Sequence, residues 1–303
     1  MNSLAGLFKW VWGFWFQAVS PIRMLVFERI MVATFLYYMV ERFSYAREWL
    51  TSYGFHITAE TRNWHHNDPF PLLTDNLILP FGILLFGSGI AVILGFHRRP
   101  MMWVLFACAV YVQNVDIISS FTLNKLYILS FLLLALTPLP GGLRIRPGQL
   151  DQPVSAWPVR TLQATLLIQY FTAATCKMLH GDWLLYPDTL WTHVQGIYCT
   201  DAAAWLLRVL PKDSWAVQMY IALVFELVAA FLFMFGRTRM IGFIWGAGFH
   251  LMIALTMHQL LYFSLQLMTF YVLFLSDGFL RRAWKPLTVQ ADVSGEGRQP
   301  GAA

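Results

Sequence analysis

The sequence predicts an all-α fold, a polytopic membrane helical bundle of about eight transmembrane helices with an interfacial N-terminal helix. Three observations predict it. Of 303 residues, 58% are hydrophobic and only 12% are charged, where an average soluble domain carries about 25% charge. Mean hydropathy is +0.55. The apolar residues fall in stretches of about 20, the length that crosses the hydrocarbon core of a bilayer. These features exclude a soluble domain with a large core. The net charge of +5 and the pI near 9.2 do not call for nucleic acid, because basic cytoplasmic loops produce the same balance.

The elements follow in chain order. Residues 1–19 contain "LFKWVWGFWFQAV", in which Trp10, Trp12, Phe14 and Trp15 suit a helix lying among lipid headgroups. The run is too aromatic for a signal-peptide core and lacks a small-residue cleavage site, so no cleaved leader is expected. Residues 20–280 then read as one transmembrane domain, with spans near 21–43, 77–96, 100–119, 121–139, 159–179, 214–236, 239–258 and 260–277. "GFHRRP", "TPLPGG" and "FGRTR" punctuate them with Gly, Pro and charge. The third-to-fourth and seventh-to-eighth connections are short enough to require antiparallel hairpins. The segment 281–303 is polar and rich in Gly, Pro and Gln, which predicts a disordered tail. No internal repeat is visible.

Basic residues are unevenly distributed. Lys9, Arg98, Arg99, Arg144, Arg146, Arg160, Arg237, Arg239, Arg281, Arg282 and Lys285 fall on one side. Arg47, Arg62, Arg208 and Lys212 fall on the other. The positive-inside rule places both termini in the cytoplasm and the long loops 44–76 and 180–213 outside. The expected location is the inner membrane of a bacterium. The outer loops hold His56, His65, His66, His180 and His193.

Ionisable groups inside spans are costly unless paired or hydrated, so each is a candidate for function. They are Glu28, Arg29, Asp116, Lys125, Lys177, Glu226 and His250. Lys125 and Lys177 lie about one turn below the outer edge, and His250 lies about 12 Å below it at 1.5 Å per residue. Helical periodicity puts Tyr170, Ala173, Ala174, Lys177 and His180 on one face. It also aligns Gln218, Ala222 and Glu226, and Gly242, Gly246 and His250. Small residues beside polar ones mark faces turned toward neighbouring helices.

Each group also has a plainer reading. Lys177 snorkels to the interface, His250 is a packing histidine bonded to a carbonyl, and Glu226 partners Arg29. "WHHNDPF" invites a metal, but adjacent histidines chelate one ion poorly and no carboxylate or cysteine set is spaced to help, so no metal is expected. Cys108 sits in an apolar run as a packing residue. Cys176 and Cys199 flank one outer loop and are candidates for a pair. No phosphate loop, dinucleotide fingerprint or Ser/His/Asp signature is present.

"LLIQYFTAATCKMLHGDW" and "FELVAAFLFMFGRTRMIGFIWGAGFHLM" resemble the membrane domain of vitamin K-dependent gamma-glutamyl carboxylases, whose bacterial relatives are grouped as HTTM (horizontally transferred transmembrane) proteins. "LVFERIMVATFLYY", with Arg29 at the family's early arginine, and "FSLQLMTFYVLFL" extend the likeness over most of 20–277. The resemblance implies a reduced isoprenoid quinone as cofactor and an outward-opening pocket for it. It implies Lys177 as the base. His250 is the second catalytic candidate, and Tyr170, Lys125, Glu226 and Tyr262 are candidates to bind the cofactor. A lysine stripped of water in such a site reaches its neutral, basic form more readily. Where the carboxylases carry a doubled lysine, this chain has Cys176–Lys177. The carboxylases also carry a large extramembrane part after the helices, so a processive carboxylase acting on a protein substrate is not expected here. The rival readings are a non-catalytic subunit that anchors a protein partner in the bilayer, and a thiol or quinone relay using Cys176 and Cys199.

Overall fold

The computed structural model describes residues 2–56, 70–116, 122–142, 148–181 and 183–283. It is all-helical apart from one pair of two-residue strands. The helices are α1 (Asn2–Phe16), α2 (Ile22–Phe43), α3 (Ala46–Leu50), α4 (Asp75–Leu94), α5 (Arg98–Val115), α6 (Thr122–Leu136), α7 (Trp157–His180), α8 (Thr189–Val194), α9 (Asp201–Val209), α10 (Lys212–Met234), α11 (Arg239–Thr256), α12 (Leu260–Phe270) and α13 (Asp277–Ala283). A helix thus occupies every stretch expected to span. By length and composition alone, α4, α10 and α11 are long and apolar enough to cross a membrane. Leu260–Phe274 and Asp277–Ala283 add a fourth if this pair, bent by 115°, is taken as one span. That criterion supports three or four spans where the sequence pattern predicts eight. α2, α5 and α7 also reach the length, but charges such as Glu28 and Arg29 interrupt α2, and polar residues such as Gln113 and Asn114 in α5 and Gln163 and Gln169 in α7 dilute the other two.

α2 is the hub. It packs on α4, α6, α12 and α13, so that α4–α5–α6 form one wing and α7–α10–α11–α12 the other. The core along it is aromatic, with Phe35 edge-on to Tyr127 and Phe131, and Phe27 edge-on to Phe270. The short α5–α6 and α11–α12 connections do form packed neighbours. Gly95 ends α4 with φ of +73°, and its carbonyl accepts from Gly142 N at 3.0 Å. A Cβ at Gly95 would run into the Gly142 backbone, so this crossing requires glycine.

α1 exposes Phe8, Trp10, Trp12 and Phe14. It is tethered to the start of α7 by strands β1 (Ala18–Val19) and β2 (Val154–Ser155) and by Arg160 over the Phe14 ring at 4.5 Å. α13 covers Asp277–Ala283, so the first residues of the expected tail are helical, while 284–303 lie outside the described residues.

Several arginines counted for the cytoplasmic side are engaged inside the fold. Arg239 donates to Phe233 O at 3.1 Å and Phe274 O at 3.0 Å, and Arg281 donates to Leu150 O at 3.0 Å. Arg98 is buried against Glu28.

Two of the loop helices build a cap. Thr200 accepts from Ala203 N at 3.0 Å, capping α9. His258 N donates to Tyr198 O at 2.9 Å, and Cys199 bridges to Met257, which hangs the loop on the end of α11. Val194, Ala203 and Trp215 form a second small core there.

Candidate functional site

The cap roofs a cavity of about 560 Å³ walled by α7, α10, α11 and α12. α7 contributes Tyr170, Ala173 and Lys177, α10 contributes Gln218, Ala222 and Glu226, and α11 contributes Phe249 and His250. The 3.6-residue period explains this convergence. The faces of Tyr170, Ala173 and Lys177 and of Gln218, Ala222 and Glu226 turn to the same space, and His250 joins them from α11, while Gly242 and Gly246 pack against neighbouring side chains.

Lys177 Nζ donates to both oxygens of Glu226, at 2.6 and 2.7 Å. The lysine side chain is 26% exposed and the glutamate 6%. The ammonium also stands 4.5 Å from the Trp183 ring, a cation–π distance. The side chain therefore turns into the bundle rather than out to the headgroups. Glu226 does not partner Arg29. That arginine donates to Gly142 O at 2.7 Å, while Glu226 is held across the cavity by Lys177.

Beside this pair runs a hydroxyl–imidazole chain. Tyr170 Oη lies 2.6 Å from His250 Nε2 and 2.7 Å from Tyr271 Oη. His250 is fully buried. Its partner is a tyrosine hydroxyl on another helix rather than a carbonyl. The glycine stripe explains how these groups come so close. A Cβ at Gly246 would collide with Tyr271 Oη and Phe225 Cζ. His250 Nδ1 and Trp215 Nε1 are buried on this wall with no hydrogen-bond partner among the described residues.

The remaining candidates fall elsewhere. Tyr262 lines a second cavity of about 600 Å³ with Tyr38, Glu41, Arg42 and Trp49, and its hydroxyl donates to Glu41. Gln169, Leu260 and Phe263 form walls of both cavities. Lys125 is exposed on α6 and belongs to neither wall, because it sits on the face opposite buried Leu123, Tyr127 and Ser130. Asp116 pairs with His56 at 3.9 Å, at the C-terminal end of α5. His180 is exposed, and His193 lines the cavity with its Nδ1 2.7 Å from Thr189 O. His65, His66 and Asp182 lie outside the described residues. Cys108, Cys176 and Cys199 are all free thiols. Among the described residues no three His, Cys, Asp or Glu side chains gather as a metal set.

Sequence reasoning missed Tyr271, Trp183 and Trp215. Tyr271 lies in an unbroken apolar run on a 3₁₀ turn (Tyr271–Phe274), and nothing local distinguishes it. Trp183 lies in a loop and Trp215 in the first turn of α10, positions where tryptophan is common near a membrane interface whatever the function.

The model of the HTTM domain family matches residues 16–284. No curated protein and no solved structure matches the chain. The chain belongs to the HTTM-domain family and is a membrane-type protein.

Proposed function

We propose that this HTTM-family chain binds a reduced isoprenoid quinone, or an amphiphile of the same build, and that Lys177 is the base that takes its hydroxyl proton. The observation that carries the reading is a lysine–glutamate ion pair standing in the wall of a largely apolar cavity. The cavity suits such a ligand. Its volume falls within the roughly 300–1,000 Å³ of small-molecule sites, and its wall is apolar with a few convergent polar groups. Lys177, Gln218 and Glu226 are among the polar groups that line it. A bound hydroquinone would supply an acidic hydroxyl and a pair of electrons, giving carboxylase-like or oxidase-like chemistry.

The residues divide the labour. In the ion-paired form Lys177 is an ammonium and holds no free lone pair. Passing one Nζ proton to Glu226 gives a neutral amine beside a neutral acid, with no change in net buried charge. The amine can then accept the ligand's hydroxyl proton. Tyr170, tied to both His250 and Tyr271, holds that wall rigid at the level of the reacting group.

Substitution of Lys177 tests this reading. Protein in lipid nanodiscs, supplied with a reduced naphthoquinone under air, should consume it above the protein-free rate. Lys177→Met should abolish that excess while preserving abundance. Lys177→Arg should abolish it too, because guanidinium stays protonated at every accessible pH. Full activity in the arginine variant would end the assignment of the base.

For topology we propose eight spans with both termini cytoplasmic, in the inner membrane of a bacterium, with α1 lying at the interface. The cavity then opens toward the outer face. With the native cysteines changed to serine, a cysteine placed at His193 should react with an impermeant maleimide in intact cells and one at Arg237 should not. The reverse result would invert the protein.

A further inference from the structure

The cavity is not closed on all sides. Ile221 of α10 and Ile244, Gly248 and Met252 of α11 line it, and all four are also exposed. Ile221 is 49% exposed and Ile244 69%. Ile221 and Gly248 lie at nearly the same depth, about 12–14 Å from the helix ends that carry the cap, at 1.5 Å per residue.

On each helix these positions continue the outward apolar face. Val217, Ile221 and Val224 run along α10, and Ile241, Ile244, Leu251 and Leu255 along α11. α10 and α11 are both long and apolar enough to cross a membrane, so what their exposed faces meet at this depth is hydrocarbon. The lip carries no charge and no hydrogen-bonding side chain, unlike an opening built for water. A Cβ added at Gly248 meets no atom within 4 Å, so the space beside it is open.

From these observations we infer that the cavity has a lateral portal between α10 and α11, lipped by Ile221, Ile244 and Gly248. A ligand enters there from the bilayer, and its hydrocarbon tail stays in the slot while its polar head reaches Lys177. The inference rests on the amphiphile reading above and narrows the ligand to one with a long apolar tail partitioned in the membrane.

Two measurements on the full chain in nanodiscs test it. The first does not depend on any quinone. With Cys108, Cys176 and Cys199 changed to serine, a nitroxide is attached at Gly248→Cys and its relaxation by dissolved O₂ is compared with that by a water-soluble nickel chelate. The portal predicts that O₂ dominates, and dominance of the nickel chelate would overturn it.

The second measures binding of two naphthoquinones, one polyprenyl-tailed and one tail-less, through quenching of the cavity tryptophans Trp215 and Trp245. Gly248→Phe should weaken the tailed compound by about tenfold or more, equivalent to about 1.4 kcal/mol, while changing the tail-less one by less than about twofold. Equal loss for both compounds, or no loss for either, would overturn the portal. If neither compound binds the unaltered protein, the quinone reading fails, and the spin-label result alone decides the portal.

Discussion

Two buried carboxylates in this protein are each held by a cation, and they are built for different ends. Glu28 of α2 meets Arg98 of α5, with Nε at 2.6 Å and Nη2 at 2.5 Å from the same oxygen. The guanidinium also donates to Thr137 O at 3.2 Å and Leu134 O at 2.7 Å, so each of its nitrogens is engaged by protein. Both side chains are almost completely buried, and the pair ties α2 and α5 to the end of α6. Glu226 of α10 meets Lys177 of α7 with comparable distances, but the lysine remains a quarter exposed and both groups face a cavity. A guanidinium with every nitrogen engaged, in a sealed site, can only lock helices together. An ammonium with one neighbouring acid and open space in front of it can exchange a proton. Burial of charge does not by itself separate a strut from a reagent. Open space beside the pair does.

The largest expected effect tests the strut. Arg98→Met strands Glu28 without its partner, and breaking a buried pair from one side costs about 3–5 kcal/mol. Thermal unfolding in bicelles should show this loss, with lower membrane abundance. Lys177→Met in the same assay should cost less than about 2 kcal/mol, because a quarter of the lysine side chain is already exposed and the carboxylate left behind can neutralise by taking up a proton. Equal losses in the two variants would erase the distinction between the pairs.

Next in size is the glycine that lets α11 approach the Tyr170–His250–Tyr271 chain. Gly246→Val drives a side chain into Tyr271 and Phe225, and overpacking of this kind costs about 1–3 kcal/mol. The thermal midpoint should fall and naphthoquinone affinity should fall with it. An unchanged midpoint would mean that the helices part here without penalty, and the wall of the site would be less rigid than its hydrogen bonds indicate.

The smallest effect concerns the thiols. Cys176 and Cys199 are free and exposed, so serine at either position should shift stability by no more than about 0.5 kcal/mol. Both should react with a water-soluble maleimide without prior reduction. A rise in labelling after reduction would show that they pair, and would revive a thiol relay as a competitor to the lysine.

Much of the architecture was legible in the sequence. Apolar runs near 20 residues located a helix in every expected stretch, because burying or immersing a backbone without water demands helical pairing. The 3.6-residue period put Lys177 with Tyr170, Glu226 with Gln218 and His250 with Gly246; the first two pairs and His250 line the cavity, while Gly246 packs on Tyr271 and Phe225. What no local pattern could give was which face meets which. The sequence offered Arg29 to Glu226, yet Arg29 serves a carbonyl at the turn near Gly142, and Lys177 crosses from α7 to take the acid.

Arg98 illustrates the same boundary. In the sequence it is one of a basic pair in a short hinge, indistinguishable from Arg99, and only the packing of α2 against α5 buries it on Glu28. Lys125 is the converse, an intramembrane lysine by position that the rotation of α6 leaves exposed. Composition and period determine that a helix forms and which stripe it buries. The partner of a buried charge depends on interhelical rotation and depth, which are set by contacts between residues far apart in the chain. For this reason the site's charges were visible in the sequence, while their pairing was decided only by the tertiary structure.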